Sequence, residues 1–165
     1  MFINLLVNLI MAKQSAGILL YRKNGAKLEV FLVHPGGPFF KNKDVGSWSI
    51  PKGEFLDDED ALAAAKREFE EETGQPVDGV FIPLDPVTLK SGKLIYAWAV
   101  EGDIDHETVV SNAFEIEWPP KSGKKQSFPE IDRAGWFSIE KAKEKINAGQ
   151  LGLIENLMGV TQISS

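Results

Sequence analysis

Glu68, Glu71 and Glu72 fall at i, i+3 and i+4, a spacing that sets three carboxylates on one face of an α-helix. Like charges held this way repel and weaken an isolated helix. A chain that keeps all three needs compensating positive charge. Hard divalent cations that take carboxylate oxygens, Mg²⁺ or Mn²⁺, are suited to supply it. Such ions retain water and bridge readily to phosphate oxygens. The plainer alternative is a solvated acidic face on which Arg67 pairs with Glu71 at i+4. Against that stands the concentration of charge. Residues 54–72 hold nine acids and only two bases, Lys66 and Arg67, a local charge of −7 in a chain whose whole charge is −6. The acidity is therefore one segment's property and not a general solubility device. Just upstream, Pro51-Lys52-Gly53-Glu54 leads toward the glutamates. Gly53 permits a backbone conformation that would turn its carbonyl to a cation, and Lys52 offers a charge for a phosphate oxygen. A plain turn with an exposed lysine is the alternative there.

The elements that must hold this segment are readable from periodicity. Leu62, Ala65 and Phe69 form an apolar stripe, so Glu59–Thr73 is predicted as a helix. Asp57 or Asp58 would cap it, acids would fill its first turn and Gly74 would end it. Ala16–Tyr21 and Leu28–His34 read as a hairpin around Asn24-Gly25. Pro35–Ser47 reads as a loop, and Trp48–Ile50 as a short extended piece stopped by Pro51. Further strands are predicted at Val80–Leu84, Leu94–Glu101, Phe114–Trp118 and Ala134–Phe137, with Lys121–Gln126 a basic turn. Ser138 would cap a helix over Ile139–Asn147, and a last helix covers Leu151–Met158. Mixed strands with two or three helices imply the α/β class, a curved mixed β-sheet flanked by helices.

The spacing Gly, five residues, Glu, seven residues, Arg-Glu-apolar-any-Glu-Glu-any-Gly-apolar is the signature of the Nudix hydrolases. This chain resembles it through Gly53, Glu59, Arg67-Glu68-Phe69, Glu71-Glu72 and Gly74, departing where Gln75 takes the final apolar position. SAGILLYR, WSIPKGE and PEIDRAGWF extend the likeness to residues 15–148. The resemblance implies an αβα sandwich and metal-dependent hydrolysis of a phosphoanhydride in a nucleoside polyphosphate. It makes Glu68 and Glu72 the main metal ligands, with Glu71 and the Gly53 carbonyl beside them. Arg67 would orient a glutamate, and Glu59 would hold the loop against the helix. The base that accepts the water's proton would be Glu71, or an acid outside the segment, for which Glu115 and Glu117 are candidates. Those two share one strand face, and an exposed strand face is their alternative reading. Phe39, Phe40, Tyr96 and Trp98 are aromatic groups that could stack on a base, or simply pack, whereas His34 and His106 read as surface or strand-end residues. Pro-Lys-Gly before the helix is similar to the diadenosine polyphosphate hydrolase branch. Nucleoside triphosphates and ADP-ribose are alternatives, and a non-catalytic nucleotide sensor is the reading from another class.

Composition bounds the rest. The chain has 165 residues and no cysteine, which excludes disulfides, thiolate metal sites and cysteine nucleophiles and suits a cytoplasmic protein. Residues 15–165 are expected to form one domain, as a monomer or homodimer, with no DNA or membrane partner. An RNA 5′ end is less favoured because no long basic stripe occurs. Residues 1–14 are expected to be an N-terminal extension; its stretch Met1–Ala12 is apolar, uncharged and too short to span a bilayer, and translation is expected to start at Met11.

Overall fold

A computed structural model describes residues 14–161. The N-terminal extension up to Lys13, and with it the expected start at Met11, lies outside the described residues. The described strands are β1 (Gln14–Asn24), β2 (Lys27–Pro35), β3 (Lys52–Glu54), β4 (Ile82–Pro83), β5 (Val87–Thr88), β6 (Leu94–Glu101), β7 (Ala113–Glu117), β8 (Lys125–Pro129) and β9 (Ile131–Ser138). The helices are α1 (Ala61–Thr73), α2 (Ile139–Lys145) and α3 (Leu151–Thr161). The main sheet is ordered β4-β6-β1-β2-β9, with β3 also on β1 and β5 on β6. β1 and β6 run parallel while the other pairings in this sheet are antiparallel, so the sheet is mixed. β7 and β8 form a separate two-stranded ribbon.

Strand alternation explains the layers. Along β1, Ala16, Ile18 and Leu20 point to the face covered by α1, joining Ala64, Ala65 and Phe69 in one core. Leu19 and Tyr21 point the other way and join Ile139, Ala142, Leu153, Ile154 and Leu157 of α2 and α3 in a second core. The sheet is thus sandwiched between helices. Because both faces are covered, β1 is buried from Ser15 to Tyr21 and reads as a continuous apolar run. Fully burying one such aliphatic or aromatic side chain contributes roughly 1.5–3 kcal/mol. No described helix is long and apolar enough to cross a membrane.

Several boundaries differ from expectation. The cap of α1 is Asp60, not Asp57 or Asp58; its carboxylate accepts the Ala63 N–H at 2.9 Å, and Asp57 instead accepts from Gln14. The first turn is consequently Ala-Leu-Ala and carries no acid. Pro51 does not stop the chain: the next three residues pair with β1, in the register Gly17↔Lys52, Ala16↔Gly53 and Ser15↔Glu54. Proline lacks a donor, but its carbonyl accepts from Ile18 N–H and carries the pairing on. The Val80–Leu84 strand shrinks to two residues, while the expected basic turn ends early because Lys125 and Gln126 pair with Glu117 and Ile116. α2 stops at Lys145, since the next residue turns extended to bridge to Trp48; its N-cap is Ser138.

Candidate active site

The site is built where β3 crosses the C-terminal half of α1. The α1 stripe Ala65-Phe69 continues, three residues on, to Glu72, so the periodicity that buries Phe69 also drives a carboxylate into the edge of the core. Glu72 is only 8% exposed. Burial raises its pKa from 4.5 to about 8, against the opposing pull of the Lys52 charge and of the Lys52 backbone N–H that it accepts. Lys52 suffers the mirror effect: burial, then the Lys93 charge, lower its pKa, while Glu72, Glu54 and Glu68 support its charge. Glu68 lies one turn back and is held above its ordinary value by burial and by the Glu71 charge.

Gly53 makes this approach possible. A side chain built there would occupy the space of the Glu68 carboxylate, so Glu68 takes this position against β3 only over a glycine. Arg67 fixes the outer rim. Its guanidinium meets Glu59 at 2.9 Å, Glu68 at 2.9 Å and Glu71 at 3.4 Å, joining the helix to the loop before it. These exposed pairs contribute little stability individually, but one planar cation shared by three carboxylates fixes their directions.

A fourth acid enters from the opposite wall. Gly74, in the left-handed conformation with φ 76°, ends α1 and leaves room for the Val110 carbonyl. The N–H groups of Val110 and Asn112 then donate to the Thr73 and Glu71 carbonyls and cap them. Asn112 in turn accepts the Glu130 N–H, and the Glu130 carbonyl accepts Gly36 N–H. Glu130 is thereby held facing the helix end; burial first, then the Glu71 charge, raise its pKa, and its charge is felt at Glu68 and Glu72. Lys52, Glu72 and Glu130 line one cleft of about 300 Å³, together with Phe40, Ser49 and Gln150.

The structure therefore brings Lys52, Gly53, Arg67, Glu68, Glu71, Glu72 and Glu130 together. It places Glu115 and Glu117 on the exposed face of the β7–β8 ribbon, with Glu117 accepting from Gly123 N–H. The outside acid that the helix glutamates feel is Glu130, in the PEIDR segment; a proline-flanked carboxylate just before a core strand was its visible signal. Of the aromatic residues, Phe40 lines the cleft, Tyr96 packs on Phe55, and Phe39 lies edge-on to Trp118. Trp98 joins the α1-side core. His34 lies at the end of β2, one of its two expected places, and is fully buried there between the Asp132 carboxylate and the Lys43 carbonyl.

What this set can do follows from its charges. Among the described residues no three acidic or imidazole groups are close enough to form a ready cation cage. Nevertheless, a buried carboxylate pushed up to about 8, in electrostatic contact with Glu68 and Glu130, has the donor chemistry that a hard divalent cation satisfies.

The NUDIX domain family model matches residues 11–157. The chain belongs to the Nudix hydrolase family. Members of this family generally use divalent metal ions. A search of curated proteins gave no match. Among solved structures, this Nudix chain is similar to a Caenorhabditis elegans Ap4A hydrolase binary complex, at 21% identity and TM-score 0.62, covering 90% of this chain and 98% of that one. It is also similar to the NUDIX domain of Shewanella oneidensis NrtR complexed with ADP ribose, at 17% identity and TM-score 0.60, covering 91% and 88%. MutT from Aliivibrio salmonicida and Vibrio cholerae gives 15% identity and TM-score 0.54 over 89% and 96%. At these identities the likeness establishes the shared fold.

The raised carboxyl of Glu72 sets a pH dependence for the cation-free Nudix domain. Between about pH 4.5 and about pH 8 the folded state keeps a proton that the unfolded chain releases, so stability falls as pH rises through that window. Glu68 and Glu130 shift in the same direction. In EDTA the melting temperature is expected to be higher near about pH 5 than near about pH 8.5, and Glu72→Gln is expected to flatten the difference. Identical slopes for the two proteins in thermal melts would remove Glu72 as the cause.

Proposed function

We propose that this chain hydrolyses a phosphoanhydride bond in nucleoside polyphosphates, with dinucleoside polyphosphates such as diadenosine tetraphosphate as the preferred class. The observation that carries the hydrolytic reading is the cleft lined by Lys52, Glu72 and Glu130, with Glu68 and Glu71 electrostatically coupled to those acids. Glu68 and Glu72, with Glu71 and the Gly53 carbonyl beside them, are the groups that would hold Mg²⁺ or Mn²⁺. When bound, such ions lower the pKa of water and offset charge on the leaving phosphate. The chain's own residues do the rest. Glu71 accepts the proton of the attacking water, kept in position by Arg67 and in electrostatic contact with Glu130. Lys52, on the cleft wall, offsets phosphate charge.

The dinucleotide preference draws support from Pro51-Lys52-Gly53 and from the fold shared with an Ap4A hydrolase. ADP-ribose is the second reading, favoured by the ADP-ribose complex of a similar domain; nucleoside triphosphates follow. A sensor that binds without cutting is disfavoured because every glutamate of the motif is present. The test is a panel of dinucleoside polyphosphates, nucleoside triphosphates, ADP-ribose and triphosphorylated RNA with Mg²⁺ or Mn²⁺. Diadenosine tetraphosphate is expected to give the highest kcat/KM, and Glu71→Gln to lower it by about 10²–10⁴-fold. No metal-dependent hydrolysis by wild type, or a full rate in Glu71→Gln, would sink the reading.

A further inference from the structure

A second cavity, of about 520 Å³, contains none of the motif's glutamates. Pro38 and Lys41 from the loop after β2, and Trp118, Gln126, Phe128 and Pro129 from the ribbon, line it. The two linings run through neighbouring positions of the same segments. Pro129 lines the cavity while the next residue, Glu130, lines the cleft; Pro38 lines the cavity while Phe40 lines the cleft. The aromatic walls are held in place. Phe39 meets Trp118 edge-on at 5.4 Å, and Phe128 is braced by Phe114 at 6.1 Å, whose ring in turn lies against Gly37. The acid on the rim, Asp132, is paired with His34 at 2.8 Å.

Volume and chemistry agree on an occupant. Pockets for small organic ligands run from about 300 to about 1,000 Å³, apolar with a few placed polar groups. Aromatic walls suit the π-face of a base, an amide suits its hydrogen-bonding edge, and a lysine suits phosphate oxygens. The geometry points to a nucleoside subsite: one base of the substrate stacks on Trp118 and Phe128, Gln126 meets its edge, and Lys41 meets the phosphate chain that runs over Glu130 into the catalytic cleft. This deepens the dinucleoside polyphosphate reading and rests on it, because a substrate with two nucleosides needs base sites apart from the acids that would act on its phosphates.

The test joins kinetics to binding. Trp118→Ala is expected to raise KM for diadenosine tetraphosphate about tenfold or more, with kcat changed less than about threefold, and Trp118→Phe to restore most of the affinity. Independently of hydrolysis, saturation-transfer NMR with AMP in EDTA is expected to label the adenine protons with wild type and Trp118→Phe, and not with Trp118→Ala. Circular dichroism checks that each variant is folded. Unchanged KM and unchanged AMP labelling in folded Trp118→Ala would overturn the subsite, as would equal competition by ribose 5-phosphate. Trp118-dependent AMP labelling in a protein that cleaves nothing would leave the subsite standing and remove the hydrolytic reading. Hydrolysis of diadenosine tetraphosphate that is indifferent to Trp118 would do the reverse.

Discussion

Glu72→Gln is expected to cut metal-dependent hydrolysis about 10³-fold while leaving the protein folded. Interactions of a bound cation with developing phosphate charge are worth several kcal/mol, and about 1.4 kcal/mol corresponds to a decade in rate. Glu72 is the acid to choose because its surroundings leave it least able to be replaced. It is the most buried of the four, accepts the Lys52 N–H and supports the Lys52 charge. Glutamine keeps the volume and can still accept that N–H, so the amide isolates the loss of charge from the loss of packing. Two measurements separate causes. Calorimetric titration with Mn²⁺ should show weaker binding, and the melting temperature in EDTA above about pH 8 should be no lower than wild type, since a charge that burial disfavours is gone. Full activity with unchanged Mn²⁺ affinity would remove Glu72 from the site.

The burial of Glu72 was legible, in principle, before any coordinates. The stripe Leu62-Ala65-Phe69 extends to residue 72 at the same helical period, and a carboxylate on a core-facing stripe must be accommodated by something. Both faces of β1 were legible too, as a run of apolar residues without alternation. What was not legible depends on distant contacts. Glu130 reaches the glutamates because Asn112 caps the end of α1 and also pairs with residue 130, two backbone bonds that no side-chain pattern records. Glu115 and Glu117 alternate correctly for a strand, yet that strand pairs with β8 in a separate ribbon, and periodicity says nothing about which sheet a strand joins. Asp60 outcompeted Asp57 and Asp58 as cap because all three have the right side chain and the choice falls to tertiary contacts, here the Gln14–Asp57 bond.

Gly53→Ala is expected to separate stability from activity. The added methyl group would fall on the Glu68 carboxylate. Overpacking a rigid core costs about 1–3 kcal/mol, but here the obstructing atoms are the carboxylate end of a long, flexible side chain that keeps 13% exposure. Glu68 can therefore swing aside, and the strain is relieved at small cost to the fold. The relief itself does the damage. Moving the Glu68 carboxylate breaks its 2.9 Å pairing with Arg67 and takes it from the cluster it shares with Glu71, and displacements of about 1 Å in a catalytic group cost on the order of 10²-fold in rate. The expected result is a melting temperature within a few degrees of wild type, roughly what about 1 kcal/mol or less produces, beside a loss of about 10²-fold in kcat. Gly159→Ala in α3, where nothing lies within 4 Å of the added methyl, is the matched control and is expected to leave both quantities unchanged or the melting temperature slightly raised. A Gly53→Ala protein that loses stability and activity in proportion would mean that Glu68 cannot move, and that the glycine serves the closure of β3 on α1 more than the placing of the carboxylate.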